Sequence, residues 1–145
     1  MTIQLEQACE LLERRNRAFA AADLAAFLAL WSDDCVVEGP EHLLKGKAAL
    51  GATLEQVWSK VIRPIQMTVH GVAVSGDAIF YEWAFVAELR SNGQRIVQSG
   101  MTAHGVDAHG RFSWCREYFD PIHLRRPSAL GLASVAAALE SPPRT

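Results

Sequence analysis

Four β-rich segments separated by short turns dominate the second half of the sequence and constrain its fold more than any other feature. They cover residues 65–74, 78–89, 95–106 and 111–120. The intervening turns carry Gly76, Gly93 and Gly110, and glycine readily adopts the positive φ that tight hairpins require. Strands joined by so few residues pair with their neighbours in antiparallel order. The sequence therefore predicts an antiparallel meander that ends at Pro121.

The first half of the chain shows helical spacing instead. In residues 3–22 the apolar side chains recur three or four positions apart, and the predicted buried face contains Leu5, Ala8, Cys9, Leu12, Ala18 and Phe19. Asp23 is the predicted N-cap of a second helix, which residues 32–34 end. The predicted buried stripe of that helix is Leu24, Phe27, Leu28 and Trp31. One short strand over residues 35–38 and a loop at residues 45–46 are expected before the third helix. That helix is predicted over residues 47–61, with Pro64 closing it.

This order of elements has no βαβ alternation, so the predicted class is α+β. A single sheet with helices gathered on one face leaves a concavity between the two layers, where small molecules bind. The predicted domain spans residues 1–127. Residues 128–145 are expected to form a short C-terminal helix, capped by Ser128, and a frayed end.

Charge and cysteine content exclude several classes of function. The 14 Lys and Arg residues nearly balance the 16 Asp and Glu residues, so the chain offers no basic face to nucleic acid or to an anionic membrane. No stretch reaches the 18 or so apolar residues of a membrane span. Cys9, Cys35 and Cys115 are far apart and lack the ligand spacing of a zinc site. We therefore expect reduced thiols in a cytoplasmic protein that uses neither a metal nor another cofactor.

Three segments carry a resemblance to a known superfamily. They are AADLAAFLALWSDDCVV (residues 21–37), LLKGKAAL (43–50) and CREYFDP (115–121). Together with the order of elements, these segments resemble the NTF2-like superfamily. The chain is most similar to its SnoaL-like and limonene-epoxide-hydrolase branch, chiefly through YEW (81–83) and CREYFD (115–120). The resemblance implies a cone, in which a curved antiparallel sheet packs against three N-terminal helices around an apolar pocket. It also implies a homodimer through the outer sheet face, which would carry Glu82, Ala84, Trp114, Arg116 and Tyr118.

Two catalytic sets known in this superfamily are missing from the chain. The epoxide hydrolases use an Asp-Arg-Asp set, and the resemblance places its Arg and first Asp at Trp83 and Phe85, with the second Asp at Glu117. The ketosteroid isomerases use a carboxylate base, a tyrosine and a protonated aspartate. These places fall here at Gly39, Arg15 and Thr102. Whether the chain is an enzyme is therefore left open by the sequence.

The alternation of side chains along a strand predicts which residues face the pocket, once Glu117 is placed inward. The inward set is Cys115, Phe119, Tyr81, Trp83, Phe85, Gln98, Thr102, His104 and His70. A carboxyl among apolar rings is suited to general acid or base catalysis, although Glu117 paired with a surface arginine is an equal alternative. His104 and His70 either assist proton transfer or are structural.

Two functions of different class fit these residues. In the first, the pocket binds a small hydrophobic molecule and Glu117, assisted by His104, transfers a proton in an isomerase, cyclase, dehydratase or hydrolase type of reaction. Trp83 is then the best candidate for stacking on a flat ligand. In the second, the chain is a non-catalytic module for ligand binding or dimerisation.

Overall fold

The computed structural model describes residues 2–121, and it begins with a helix that buries one face against the sheet. Helix α1 covers Leu5–Ala20, and its buried residues are Ala8, Leu11, Leu12, Arg15, Ala18 and Phe19. The predicted face was partly wrong, because Leu5 and Cys9 are exposed and Leu11 and Arg15 are buried in their place. The true stripe follows the same three- and four-residue spacing, rotated slightly around the helix. It includes one charged side chain, Arg15.

Helix α2 is shorter than the sequence predicts. It covers Leu24–Leu28, and Oδ1 of Asp23 accepts a hydrogen bond from the amide of Ala26 at 2.9 Å, which confirms the predicted cap. Trp31 does not belong to this helix but begins strand β1, Trp31–Glu38. The indole of Trp31 packs against the ring of Phe112 at 5.2 Å. We infer that this packing and strand pairing outweigh the turn preference of the Ser-Asp-Asp sequence that follows Trp31.

The region between β1 and the meander also differs from the prediction. Strand β2, Leu43–Lys45, pairs with β1 where a loop was expected. Helix α3 covers Lys47–Gln56 and continues as one π-helical turn, Val57–Val61. Strand β3, Ile62–Ser75, begins before Pro64 rather than after it. The proline is tolerated because β3 lies at the edge of the sheet, where a missing N–H breaks no central ladder.

The remaining strands form the predicted meander. They are β4 (Ala78–Leu89), β5 (Arg95–Val106) and β6 (Phe112–Tyr118), and the turns use Gly76, Gly93 and Gly110 with positive φ. The six strands are ordered β2-β1-β6-β5-β4-β3 in one curved sheet. One pair departs from the expected antiparallel order, because β1 runs parallel to β6. This pairing brings the end of β1 beside Cys115 and Arg116.

The core lies between the helices and the inner face of the sheet. Its largest fully buried side chains include Trp31, Tyr81, Phe112, Leu12 and Ile79. Within residues 2–121, no helix combines the length and the apolar character that crossing a bilayer requires. The C-terminal helix predicted over residues 129–139 and the domain boundary at residue 127 lie outside the described residues.

The outer face of the sheet carries exposed apolar side chains. Met101 and Tyr118 are cross-strand partners on β5 and β6, and Tyr118 is 64 % exposed. Phe80 is also exposed, whereas Ala84 is buried and Trp114 is half-buried. The homodimer expected through this face stays a prediction.

Candidate functional site

A cavity of about 330 Å³ lies between the helices and the inner face of the sheet. Its volume is at the lower end of the range for small-molecule sites. The wall is mainly apolar, and its Phe and Trp side chains are Phe19, Phe27, Trp31, Trp58, Trp83, Phe85 and Phe119. A few polar groups interrupt this wall: Arg15, Glu41, His42, Thr53, Gln98 and Glu117. An apolar cavity with a few convergent polar groups is the usual form of a ligand site.

Glu117 lies on β6 and faces this cavity. It follows the buried Cys115 by two residues, so the alternation of the strand directs its carboxyl inward. Burial raises the pKa of Glu117 above its usual value, while the charges of Arg15 and His42 lower it. The alternative was an arginine at the sheet surface, namely Arg95, Arg111 or Arg116. Arg111 binds Asp107, Arg116 binds Glu38, and Arg95 is exposed.

His42 is the described ion-pair partner of Glu117, and the sequence gave no indication of it. Its Nε2 lies 3.7 Å from Oε2 of the glutamate. The turn after β1 holds His42 in place, because the amide of Gly39 donates to the carbonyl of His42 at 2.9 Å. A Cβ atom at Gly39 would collide with the imidazole, so glycine leaves the space that His42 occupies in this position. The parallel pairing of β1 with β6 then brings the turn beside Glu117.

Arg15 is the second functional residue that sequence reasoning missed. Its side chain lines the cavity from α1 and is 6 % exposed. The guanidinium carbon lies 5.5 Å from the ring centre of Phe27 and 5.9 Å from that of Tyr81, which are cation–π distances. The signal was present in the sequence, since Arg15 is a lone charge among apolar residues at helical spacing.

The predicted site residues divide into two groups. Trp83, Phe85, Phe119 and Glu117 line the cavity, and so does Gln98. The other predicted residues do not belong to the cavity wall: Tyr81, Thr102, His104, Cys115 and His70. Four of them are buried deeper in the sheet, whereas His70 is half-buried on the edge strand β3.

The deeper residues form a buried polar cluster behind the cavity wall. Nε1 of Trp83 donates to Oγ1 of Thr102 at 2.7 Å, and Oη of Tyr81 shares a hydrogen bond of 3.0 Å with Nε2 of His104. The His104 ring stacks on Phe112, with ring centres 4.1 Å apart. Burial lowers the pKa of His104 well below its usual value, so the ring is neutral near pH 7. A buried, stacked and neutral ring of this kind is typical of a histidine that supports the fold.

Metal ligands are not gathered at this cavity. Within the part of the chain that the structure describes, no group of three or more His, Cys, Asp or Glu side chains is arranged to hold a metal ion. The described part of the chain contains three free cysteines. One of them, Cys115, is buried, and burial raises the pKa of its thiol well above the usual value.

Comparison with known proteins gives a family match and a set of similar folds. The family model described as the SnoaL-like domain matches residues 12–114. No curated protein matches the sequence significantly.

Three solved structures illustrate the similarity of the fold. An LEH-like epoxide hydrolase from M. tuberculosis is 21% identical, with a TM-score of 0.70, over 94% of this chain and 98% of that one. A proposed isomerase from Bacillus subtilis is 21% identical, with a TM-score of 0.74, over 96% of this chain and 97% of that one. An NTF2-like protein of unknown function from Exiguobacterium is 20% identical, with a TM-score of 0.64, over 76% and 98% of the two chains. The predicted NTF2-like fold is thereby confirmed, and at these identities the likeness concerns the fold alone.

Proposed function

The chain belongs to the SnoaL-like domain family, and we propose that it binds a small hydrophobic molecule in its cavity and transfers a proton on that molecule with Glu117. One observation carries this proposal. The carboxyl of Glu117 stands in a mainly apolar wall, with His42 at 3.7 Å as its ion-pair partner. A carboxyl placed in this way meets the ligand directly, whereas an exposed carboxyl meets water.

The surroundings of Glu117 suit it to acid-base chemistry. Burial raises the pKa of this carboxyl, so its anion is a stronger base than an exposed carboxylate. The imidazole of His42 is 34 % exposed, which gives a proton on Glu117 a route towards solvent. Glu117 would exchange protons with the ligand, and His42 would exchange them with water.

The aromatic wall supports a ligand with a flat apolar body. Trp83 and Phe85 stack at 5.8 Å between ring centres, and Phe119 meets Trp83 edge-on at 6.0 Å. Such surfaces bind rings through dispersion and quadrupole interactions. Trp83 is further fixed by its hydrogen bond to Thr102.

The class of reaction is narrowed by the residues at two places on strand β4. Trp83 and Phe85 occupy the places at which the resemblance puts the arginine and first aspartate of the epoxide hydrolases, and both are aromatic. We therefore favour reactions that need one carboxyl to move a proton, such as isomerisation, cyclisation or dehydration, over epoxide opening by two acids.

The test is a reaction that reports a base in an apolar cavity. In 5-nitrobenzisoxazole, a base removes the proton on C3 and the C–H electron pair completes a nitrile. The N–O bond breaks, and its electron pair stays on oxygen, which gives a coloured cyanophenolate. We expect the wild-type protein to catalyse this elimination. Glu117→Gln keeps the shape of the side chain but removes the base, so kcat/KM is expected to fall about 100-fold or more.

The matched control is Glu38→Gln, since Glu38 is exposed and paired with Arg116 outside the cavity. We expect its rate to equal that of the wild type. Equal rates for the wild type and Glu117→Gln, or a wild-type rate no faster than that of free acetate, would reject catalysis by Glu117. Binding of the probe without turnover would then favour the non-catalytic ligand-binding module.

We also propose that two copies associate through the outer face of the sheet, in the cytoplasm. The exposed Phe80, Met101 and Tyr118 on this face support association. The three free cysteines fit a reducing compartment. Light scattering during gel filtration tests the association, and Met101→Glu is expected to yield monomers.

A further inference from the structure

Arg15 is a buried cation whose hydrogen-bonding capacity is largely unused. Within residues 2–121 its only hydrogen bond is a long one, from Nη1 to Oδ1 of Asn16 at 3.4 Å, and Nε has no partner. It forms no ion pair with any described carboxylate. A buried charge is expensive unless it is paired and hydrogen-bonded. The residues described by the structure do not supply that pairing.

The groups around Arg15 do not replace a bonded anion. The rings of Phe27 and Tyr81 attract the guanidinium but offer no oxygen in its plane. The charge of Arg15 lowers the pKa of Glu117, but the two side chains are too far apart to form an ion pair. The described ion-pair partner of Glu117 is His42. The guanidinium and the carboxyl therefore border the same cavity without neutralising each other.

This inference rests on the proposed function of the cavity: we propose that its ligand carries a single carboxylate, which Arg15 binds, on an apolar body that contacts the aromatic wall. A guanidinium binds carboxylates through a planar fork of N–H donors, and the pairing would satisfy the unused donors. A guanidinium is a permanent cation, so the anion that matches it best is one carried by the bound ligand itself. An oxyanion that forms only during the reaction would leave the resting complex unpaired.

The charges of the cavity disfavour a phosphate in this position. A phosphate carries close to two negative charges and needs several donors. The cavity wall contains the basic side chains Arg15 and His42 but also the acidic side chains Glu41 and Glu117, and His42 is the described ion-pair partner of Glu117. A single negative charge is therefore the best match.

The arrangement also orients the ligand. Arg15 approaches from α1 and Glu117 from β6, so a ligand held at both would span the cavity from the helical layer to the sheet. Its carboxylate would lie at the helix, and its reacting atom would lie at Glu117. Arg15 is thus a ligand-binding residue that sets the position at which the proton is transferred.

Isothermal titration calorimetry with two probes of matched shape tests this assignment. The probes are 2-naphthoate and 2-naphthamide, which differ mainly in charge. We expect the wild-type protein to bind naphthoate at least tenfold more tightly than naphthamide. In Arg15→Met, the two affinities should agree within twofold.

Arg14→Met is the control, because Arg14 is an exposed neighbour on the same helix and its loss should leave the preference unchanged. Equal affinities in the wild type, no detectable binding of naphthoate, or a preference that survives in Arg15→Met would each overturn the inference. The wild-type comparison tests the charge of the ligand even where the variant does not fold.

The two proposals fail in different ways. Glu117→Gln is expected to abolish the elimination but to keep the naphthoate preference, or to increase it, since a negative charge leaves the cavity. Naphthoate preference without turnover in the wild type would reject catalysis and retain the ligand class. Turnover without naphthoate preference would reject the ligand class alone.

Discussion

The hydroxyl oxygen of Tyr81 lies 3.0 Å from Nε2 of His104, in a cluster that is separated from the cavity by its wall. Both side chains are almost fully buried, and Phe112 stacks on the imidazole. Burial raises the pKa of Tyr81 and lowers that of His104, so both groups are neutral near pH 7. The pair is therefore expected to contribute to folding rather than to proton transfer.

Tyr81→Phe should destabilise the protein without affecting catalysis. The substitution removes the hydrogen-bond partner of Nε2 of His104, a ring that is fully buried. An unsatisfied buried group costs about 1–3 kcal/mol, which urea denaturation would measure. Tyr118→Phe, at an exposed position, is the control. A large fall in the elimination rate with unchanged stability would instead assign Tyr81 to the chemistry.

Glu117→Gln should change the pH dependence of stability. The pKa of Glu117 is raised in the folded state above its usual value of 4.5, so the fold favours the neutral carboxyl. Its contribution to stability is fully present below pH 4.5 and is lost as the pH rises through the folded-state pKa. We expect Glu117→Gln to melt above the wild type at pH 8 and level with it near pH 4.

The exposed Glu38 provides the comparison for this effect. The melting temperature of Glu38→Gln should change with pH in the same way as that of the wild type. A wild-type protein that gains stability relative to Glu117→Gln between pH 4 and 8 would show that the carboxylate, rather than the acid, is favoured by the fold.

His42→Gln should move the pH–rate profile of the elimination. The charge of His42 lowers the pKa of Glu117, so its removal makes the carboxyl release its proton at higher pH. The rising limb of kcat/KM against pH is expected to shift upwards. His109→Gln, in an exposed turn, should leave the profile in place. If the rising limb of kcat/KM stays at the same pH in His42→Gln, His42 does not influence the ionisation of Glu117.

The part of the fold that depends on local chemistry was predictable from the sequence. Hairpin glycines defined the meander, and the Asp23 cap defined the start of α2. The errors arose where tertiary contacts decide the structure, as at Trp31, which joins a strand instead of a helix because it packs on Phe112. The start of β3 was predicted wrongly at Pro64 for a related reason, because only the strand order shows that this proline lies in an edge strand.

The candidate site was predictable only where strand alternation applies. Glu117, Trp83, Phe85 and Phe119 line the cavity as their register predicts. The same alternation also placed His104 inward, but depth along the strand separates it from the cavity, and periodicity carries no information about depth. His42 depends on the parallel pairing of two strands far apart in the chain, which no local pattern encodes.

Arg15→Met should stabilise the protein while it weakens carboxylate binding. Among residues 2–121 the buried guanidinium has no bonded anion, whereas methionine fills a similar space with apolar atoms. Replacing buried charges by packed apolar side chains is often neutral or stabilising, and we expect a gain of about 1–3 kcal/mol in the free energy of unfolding. Urea denaturation measures it, with the exposed Arg14→Met expected within about 0.5 kcal/mol of the wild type.

The opposite result would have a clear meaning. A loss of stability in Arg15→Met that Arg14→Met does not share would show that Phe27 and Tyr81 hold the guanidinium as part of the core. A gain would show that the fold retains an unpaired charge at a cost. Such a charge is expected where the compensating anion comes from outside the chain, and a bound naphthoate should then stabilise the wild type more than it stabilises the variant.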